Sequence, residues 1–433
     1  MTCANWALTS NAMGKKETNF KQTDIGLIPH DWEVATIGDG FKFITNNTLS
    51  RGQLTNKGSV LNVHYGDVHV RFSEVLDLEK STLPFINTGI RRNAKPYLID
   101  GDIVMADTAE DETVGKSCEI QNIGEWKVEA GLHTFAMRPT QRYASRFLGY
   151  FINSKSFHSQ LLPLIQGTKV YSVTKGDLKG TAVLKPPIEE QKRIAEVLSH
   201  FDEHIDNLAA LLEKRKQVKA ATMHALLSGT IRLPGFTAPW QKKSLSELFS
   251  FVRGNGLSKS AVGDKGEYPC ILYGQLFTTY KENIQSVVSY TDIEEGVLSK
   301  KGDVLMPAST TTSGEDLATA SALQYDGVRL GGDIIVLRPK QVIDSLFMAY
   351  IIRLLKDEIT ALAQGITIVH ISGKRMLNLE VMIPTSVEEQ SAIVAILSNM
   401  DRGIEALEQE IKKYRQMKEG AMEELLTGKV RLI

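Results

Sequence analysis

Cysteine is scarce in this 433-residue chain: Cys3, Cys118 and Cys270 lie far apart and are odd in number. That excludes a disulfide framework and a thiolate metal site, and it points to a reducing compartment. A dominant charge is also missing, since 50 Lys and Arg against 51 Asp and Glu leave a net charge of -1. No global positive field is available to attract nucleic acid, so any DNA contact must use local basic patches. Long apolar runs are absent. The most apolar stretch, Phe347 to Leu355, is interrupted by Arg353 and is far too short to span a bilayer. No basic region followed by a long apolar one opens the chain, so no secretory signal is expected. Ser10-Asn11-Ala12 ahead of Met13 reads as an expression-tag remnant, and residues 1–20 are set apart as a tag-like, disordered tip. The nine histidines show no ligand spacing, so no metal is expected. These absences predict a cytoplasmic protein with no membrane partner.

What the chain does have is an internal repeat. Pro186-Pro187-Ile188-Glu189-Glu190-Gln191 returns as Ile383-Pro384-Thr385-Ser386-Val387-Glu388-Glu389-Gln390, and Gly229-Thr230-Ile231-Arg232-Leu233 returns as Gly428-Lys429-Val430-Arg431-Leu432. Pro29-His30-Asp31-Trp32 has its counterpart in Pro239-Trp240. Gly101-Asp102-Ile103-Val104-Met105 matches Gly302-Asp303-Val304-Leu305-Met306, a turn followed by a short buried strand. Met137-Arg138-Pro139 matches Leu337-Arg338-Pro339, where proline should end a strand. Helical stretches from about Ser145 to Ile165 and from Ser345 to Ala363 both stop at Gln-Gly, Gln166-Gly167 and Gln364-Gly365. A duplicated unit of this size means two similar domains in one polypeptide.

Two long helices are the clearest local signal. Ile194, Leu198, Phe201, Ile205, Leu208 and Leu212 step by four and three, as do Ile393, Leu397, Met400, Ile404, Leu407, Ile411 and Tyr414. Alternating four-three spacing is a coiled-coil seam, narrower than the stripe of a helix lying on a globular core. Ser386 with Glu389 fits a capping box, and Gly229 and Gly428 close the helices. The fold expected is α+β, with two mixed α/β domains joined by two long helices in an antiparallel coiled coil. The expected segments after the tip are a domain at 21–187, a helix at 188–229, a second domain at 230–386 and a second helix at 387–433.

The order of these landmarks, twice over, resembles the specificity subunit of type I restriction–modification systems. The resemblance rests on Ile28-Pro29-x-x-Trp32, Gly167-Thr168, the Pro186-Pro187-x-x-Glu190-Gln191 helix opening and the Leu226-Leu227-x-Gly229-x-Ile231 closure. The second unit departs from the pattern: Ile383-Pro384 carries an extended spacer, Trp240 lacks a leading Ile-Pro, and Gly365-Ile366-Thr367 has an extra residue. The resemblance implies two target-recognition domains, each reading half of a split double-stranded DNA site, with the helix pair as spacer. It implies two methyltransferase subunits as partners, with restriction/translocase subunits added, and Glu190, Gln191, Glu389 and Gln390 as methyltransferase contacts. No cofactor is expected.

No rule of spacing names the base readers, but residue type and loop context mark three places. The first is the loop after each Gln-Gly stop, with Thr168, Lys169 and Tyr171, and Thr367, His370 and, just beyond, Lys374. The second is the polar loop after each Gly-Asp strand, with Thr113 and Lys116, and Thr310, Thr311 and Thr312. In the first copy Asp107, Glu110, Asp111 and Glu112 would repel phosphate unless they accept from cytosine amino groups. The third is an early arm, with Asn47, Arg51 and Lys57, matched loosely by Arg253 and Lys259.

Catalytic signals are weak. Gly115-Lys116-Ser117 ends like a phosphate loop but lacks its first glycine. Gly38-x-Gly40 and Gly254-x-Gly256 lack the context of a nucleotide fingerprint. Asp102 with Glu125-Trp126-Lys127 has the composition of a nuclease triplet but no match in the second unit. No catalysis is expected of the chain itself. A duplicated coiled-coil adaptor that binds proteins instead of DNA remains the alternative.

Overall fold

The computed structural model describes residues 19–433 apart from Arg91, Arg92, Ala94 and Ile366. Most of the tag-like tip, including Cys3, and the inserted Ile366 therefore lie outside the described residues. The chain divides into two compact units: residues up to Ala209 together with Gln409–Ile433, and Ala210–Glu408. Each unit takes part of both long helices; the first is assembled from two separate segments of the chain and the second from one.

In the first unit a five-stranded sheet has the order Phe41–Ile44, Thr134–Pro139, Ile103–Ala106, Ser117–Gln121, Val75–Asp77. The second unit repeats that order with Phe249–Arg253, Ile334–Pro339, Asp303–Pro307, Ser321–Leu323 and Asn283–Ile284. Only the outermost pair is parallel in each case. Strands Thr134–Pro139 and Ile334–Pro339 do end at proline, which cannot donate to a further rung.

The strand after Gly-Asp is apolar without interruption because both of its faces are covered. Ile103 and Met105 point into a core shared with Phe147, Phe151 and the long-helix residues Ile194, Leu198 and Leu425. Val104 and Ala106 point the other way, into a core with Leu61, Val63, Val68, Leu76 and Val128. That alternation is the period-two geometry of a strand. The second unit does the same with Val304 and Met306 on one face and Leu305 on the other. Arg138 grips Asp102 with two hydrogen bonds of 2.8 and 2.7 Å, and Arg338 grips Asp303 with two of 2.9 and 2.8 Å. Asp102 is thereby fully engaged in holding the turn, which dismantles the nuclease triplet.

The helical stretch after each sheet is broken in two, Phe147–Ile152 then Lys155–Leu161, and Ser345–Leu354 then Lys356–Leu362. In the first copy Ser154 caps the new helix by accepting from the Phe157 N–H. The long helices span Ile188–Leu227 and Val387–Leu426, 40 residues each. Within the first unit they run antiparallel: Lys418 meets Asp202 at 2.6 Å and the Tyr414 ring meets His204 with centroids 4.2 Å apart. Within the second, Lys216 meets Glu408 at 3.5 Å and Lys219 meets Asp401. The seam is buried at Ile194, Leu198, Phe201, Ile205 and Leu208, and at Ile393, Leu397, Ile404, Leu407 and Ile411. Ile194, Leu198, Ile393 and Leu397 also join the domain cores, so helix-on-helix and helix-on-domain packing coexist. Gly229 and Gly428 end the helices at φ +71 and +72, the left-handed value that glycine adopts at no steric cost.

Four residues expected to face a partner are instead internal. Glu190 is 2% exposed and accepts from Trp32 Nε1 at 3.0 Å and from Arg431 at 2.7 and 2.8 Å. Glu389 is 1% exposed and accepts from Trp240 Nε1 at 3.2 Å and from Arg232 at 2.7 and 2.9 Å. Gln191 and Gln390 are buried too; each accepts a backbone N–H, from Ala144 or Asp344, and donates to a proline carbonyl, Pro186 or Pro384. An acidic first helical turn reads as a surface feature, but the indole and guanidinium donors draw these carboxylates inward. The capping box is half present for the same reason. Ser386 accepts from the Glu389 N–H at 3.2 Å, while the Glu389 side chain turns to Arg232 and Trp240.

Breaking a buried, hydrogen-bonded ion pair from one side leaves an unpaired charge. Arg431→Ala is expected to cost about 3 kcal/mol in the stability of the first unit. A double-mutant cycle with Glu190→Ala under urea should show the two losses to be far from additive; simple additivity would refute the coupling.

Candidate nucleic-acid interface

Two of the places marked by sequence meet at one rim in each unit. In the first, Thr108–Ala109 pairs antiparallel with Tyr171–Ser172, joining the polar loop to the Gln-Gly loop. In the second, Ser309–Thr310 pairs with Val369–His370 in the same way. Gly167 and Gly365 have φ of +111 and +125 at the start of these loops, where a Cβ would collide with the backbone carbonyl three residues on.

The early arm reaches the same rim through a turn not singled out by sequence. Asn46 Nδ2 donates to the Gly131 carbonyl at 3.0 Å, and the Asn47 N–H to Ala130 at 2.8 Å. The turn runs Gly131-Leu132-His133 in the first unit and Gly331-Gly332-Asp333 in the second. Its last carbonyl accepts from the residue after the Gly-Asp strand: Asp107 N–H to His133 at 3.1 Å, Ala308 N–H to Asp333 at 2.7 Å. That residue in turn accepts from the far side of the ladder, Val173 N–H to Asp107 and Ile371 N–H to Ala308. Backbone bonds thus lock three loops together at each rim.

Side chains divide into engaged and free. Asn47 is 3% exposed and donates to Asn62 and Glu129, so it cannot present an amide to a base edge. Arg51 grips buried Asp67 through hydrogen bonds of 2.7 and 2.6 Å. Burial opposes the Asp67 charge, but Arg51 and Arg71 prevail and hold its carboxyl below the usual range. Lys116 donates to the His69 carbonyl at 2.7 Å, which also removes the resemblance to a phosphate loop. Thr113 hydrogen-bonds to Asp111, and Thr310 is buried with its hydroxyl against Thr312. These five serve the scaffold: Thr113 and Thr310 bond within their own turns, as short polar side chains do, and Asn47, Arg51 and Lys116 tie distant segments together. Thr312 is exposed and bonds to Asp316, while Tyr171 is half-buried against the first core.

Lys57, Thr168, Lys169, Arg253, Lys259, Thr311, Thr367, His370 and Lys374 are exposed. Arg253 alone among them meets a carboxylate, with Nη2 2.9 Å from Asp333. Sequence reasoning missed the turn residues. His133 lies with Nδ1 3.3 Å from Asp107 and its ring edge-on to Tyr65, centroids 5.3 Å apart. Burial pushes the Asp107 carboxyl upward, with His133 opposing. A signal was available, since each turn opens on a Gly and precedes a strand that ends in Arg-Pro.

Among the described residues no group of three or more His, Cys, Asp or Glu side chains could hold a metal ion. Cys118 and Cys270 are free and buried, and burial pushes the Cys118 thiol up to about 12, too high for a nucleophile at neutral pH.

Comparison with known proteins decides between DNA recognition and a protein-only adaptor. The family model of the type I restriction modification DNA specificity domain matches twice, over residues 29–217 and 238–414. A protein named as specificity subunit of the type I restriction enzyme MjaX of Methanocaldococcus jannaschii is 25% identical over 96% of this chain and 98% of its own length. The MjaVIII specificity subunit of the same organism is 23% identical over 96% and 97%. Among solved structures, a chain from the type I R-M system aligns with TM-score 0.59 and 17% identity, over 93% of this chain and 99% of its own. The S subunit from M. genitalium aligns at 0.53 with 16% identity, over 95% and 97%. These names assign specificity, not catalysis, and nothing in them favours the adaptor. Matched through both of its repeats, the chain belongs to the type I restriction–modification DNA specificity family.

Proposed function

We propose that the chain reads a split double-stranded DNA site, one half with each rim, and directs two methyltransferase subunits, joined by restriction/translocase subunits, to that site in the cytoplasm. The observation that carries this reading is one backbone scaffold used twice with different side chains on its rim. Asp107, Thr108 and Tyr171 in the first unit correspond to Ala308, Ser309 and Val369 in the second. A conserved frame with unlike tips suits two unlike half-sites, since base contacts specify while phosphate contacts only position. The exposed lysines Lys57, Lys169, Lys259 and Lys374 are assigned to phosphates, and Thr168, Thr311, Thr367 and His370 to sugar or base edges. Methyltransferase docking no longer rests on Glu190, Gln191, Glu389 or Gln390, and passes to exposed helix faces. Among the described residues no helix is long and apolar enough to cross a membrane, in keeping with a partner set of DNA and subunits.

Methylation mapping tests the reading directly. In cells co-expressing this chain with its methyltransferase, modified bases should appear at one split motif that is absent with methyltransferase alone. A stable complex that marks no motif would refute it.

A lysine on phosphate should act without regard to sequence. Lys169→Ala in the assembled complex should weaken binding to specific and random DNA alike and reduce the slope of log affinity against log salt by about one. Selective loss for one sequence would contradict that role.

Spacer length should set the unread gap. One heptad added after Ala209 and another after Glu408 lengthens both helices by roughly 10 Å, about three base pairs of B-DNA. The mapped motif should keep both halves and gain about that many unread pairs.

A further inference from the structure

His133 and Asp333 share a backbone feature that their side chains do not need. Both close the Gly turn in the left-handed region, at φ +53 and +58. Glycine sits there without steric cost, and Asn, Asp and His tolerate it better than other residues. The turn itself is held by its backbone, through the carbonyls that accept from Asp107 and Ala308. The side chains project from the junction of the three loops, 47% exposed for His133 and 37% for Asp333.

At this one position the two units carry different polar pairs. In the first, His133 faces Asp107, whose Oδ1 is buried and has no hydrogen bond of good geometry, and lies against the edge of Tyr65. In the second, Asp333 faces Arg253 at 2.9 Å and also accepts from Ser309 Oγ at 3.3 Å. Each pair places a carboxylate behind a side chain able to address a base edge. With its proton on Nδ1, the nitrogen 3.3 Å from Asp107, His133 presents Nε2 as an acceptor, which suits the amino group of adenine or cytosine. Held by Asp333, the planar guanidinium of Arg253 keeps N–H donors free, the geometry that reads guanine O6 and N7.

We infer that this turn is a specificity-determining position in both units: His133, beside Asp107, reads an amino-bearing base in one half-site, and Asp333 positions Arg253 on a guanine in the other. The inference rests on the split-site reading and names the residues that carry it. A positioning residue acts through its partner, so Asp333 and Arg253 belong to one readout.

The test is methylation mapping of cells co-expressing the methyltransferase with wild-type chain or with His133→Gly, Asp333→Gly or Arg253→Ala. Glycine deletes the side chain at the φ that favours it, so melting temperatures should stay within about 2 °C of wild type. His133→Gly should relax one adenine or cytosine position in one half by about tenfold or more and leave the other half unchanged. Asp333→Gly and Arg253→Ala should both relax the same guanine in the opposite half. Should a glycine variant melt lower, His133→Asn and Asp333→Asn keep the left-handed backbone and are read in the same way. An unchanged motif in the His133 variants, or His133 and Asp333 variants that relax the same half, would overturn the inference. A wild-type chain that yields no split motif refutes the split-site reading instead.

Discussion

Glu190 and Glu389 are carboxylates deep inside the protein, each at the first turn of a long helix, each surrounded by an indole N–H and a guanidinium. A charge so far from water persists only when its partners are in place. Burial works against the Arg431 charge as well, yet Glu190 and Asp31 outweigh it and hold its pKa above the usual arginine value. The rest of each unit depends on this knot because of where its parts come from. Trp32 and Trp240 open their units, the glutamates begin a helix, and the arginines follow the end of the other helix. Arg431, beyond the second helix, closes the first unit, and Arg232, beyond the first helix, closes the second. Neither unit can complete its core until a distant part of the chain has returned, which couples helix pairing to domain folding.

A second tie lies one helical stretch further along. Lys418 reaches Glu74 at 2.7 Å and Asp202 at 2.6 Å while Tyr150 donates to Asp202, and Lys219 with Glu282, Asp401 and Tyr350 repeats the arrangement. Burial opposes the Lys418 charge, but Glu74 and Asp202 overcome it and raise its pKa. The lysine stands on one long helix, the aspartate on the other, and the tyrosine and glutamate on the domain. Three bodies within each unit are thus held by one ammonium.

The scaffold was legible in sequence and the rim largely was not. Leu198, Phe201, Ile205 and Leu208 announce a helix because burial repeats every three or four residues. Ile103-Val104-Met105 announces a covered strand because both faces are apolar. Trp32, Glu190 and Arg431 were visible as repeated landmarks, yet their meeting was not, since a carboxylate in a first helical turn looks alike whether it faces water or an indole. The rim suffers from the same ambiguity. Arg51 and Lys57 are equally plausible phosphate ligands on paper, and only packing shows that Asp67 holds the first and leaves the second exposed. His133 escaped because left-handed turns carry no periodicity, and its importance lies in three loops that meet only in space.

A net charge near zero follows naturally from this division of labour. Several cations at repeated positions are paired internally: Arg138, Arg338, Arg232, Arg431, Lys219 and Lys418 each hold a carboxylate. Those left at the rims are few, and each phosphate contact contributes only modestly at physiological salt. A reader of this kind gains little from general attraction and much from shape and placement. On the proposed split-site reading, two modest sites in one polypeptide compensate, because binding at the first raises the effective concentration of the second half-site for its own rim. On that proposed reading, weak charge becomes an advantage in discrimination: random DNA offers phosphates without the right edges, and only a matched pair of half-sites engages both rims.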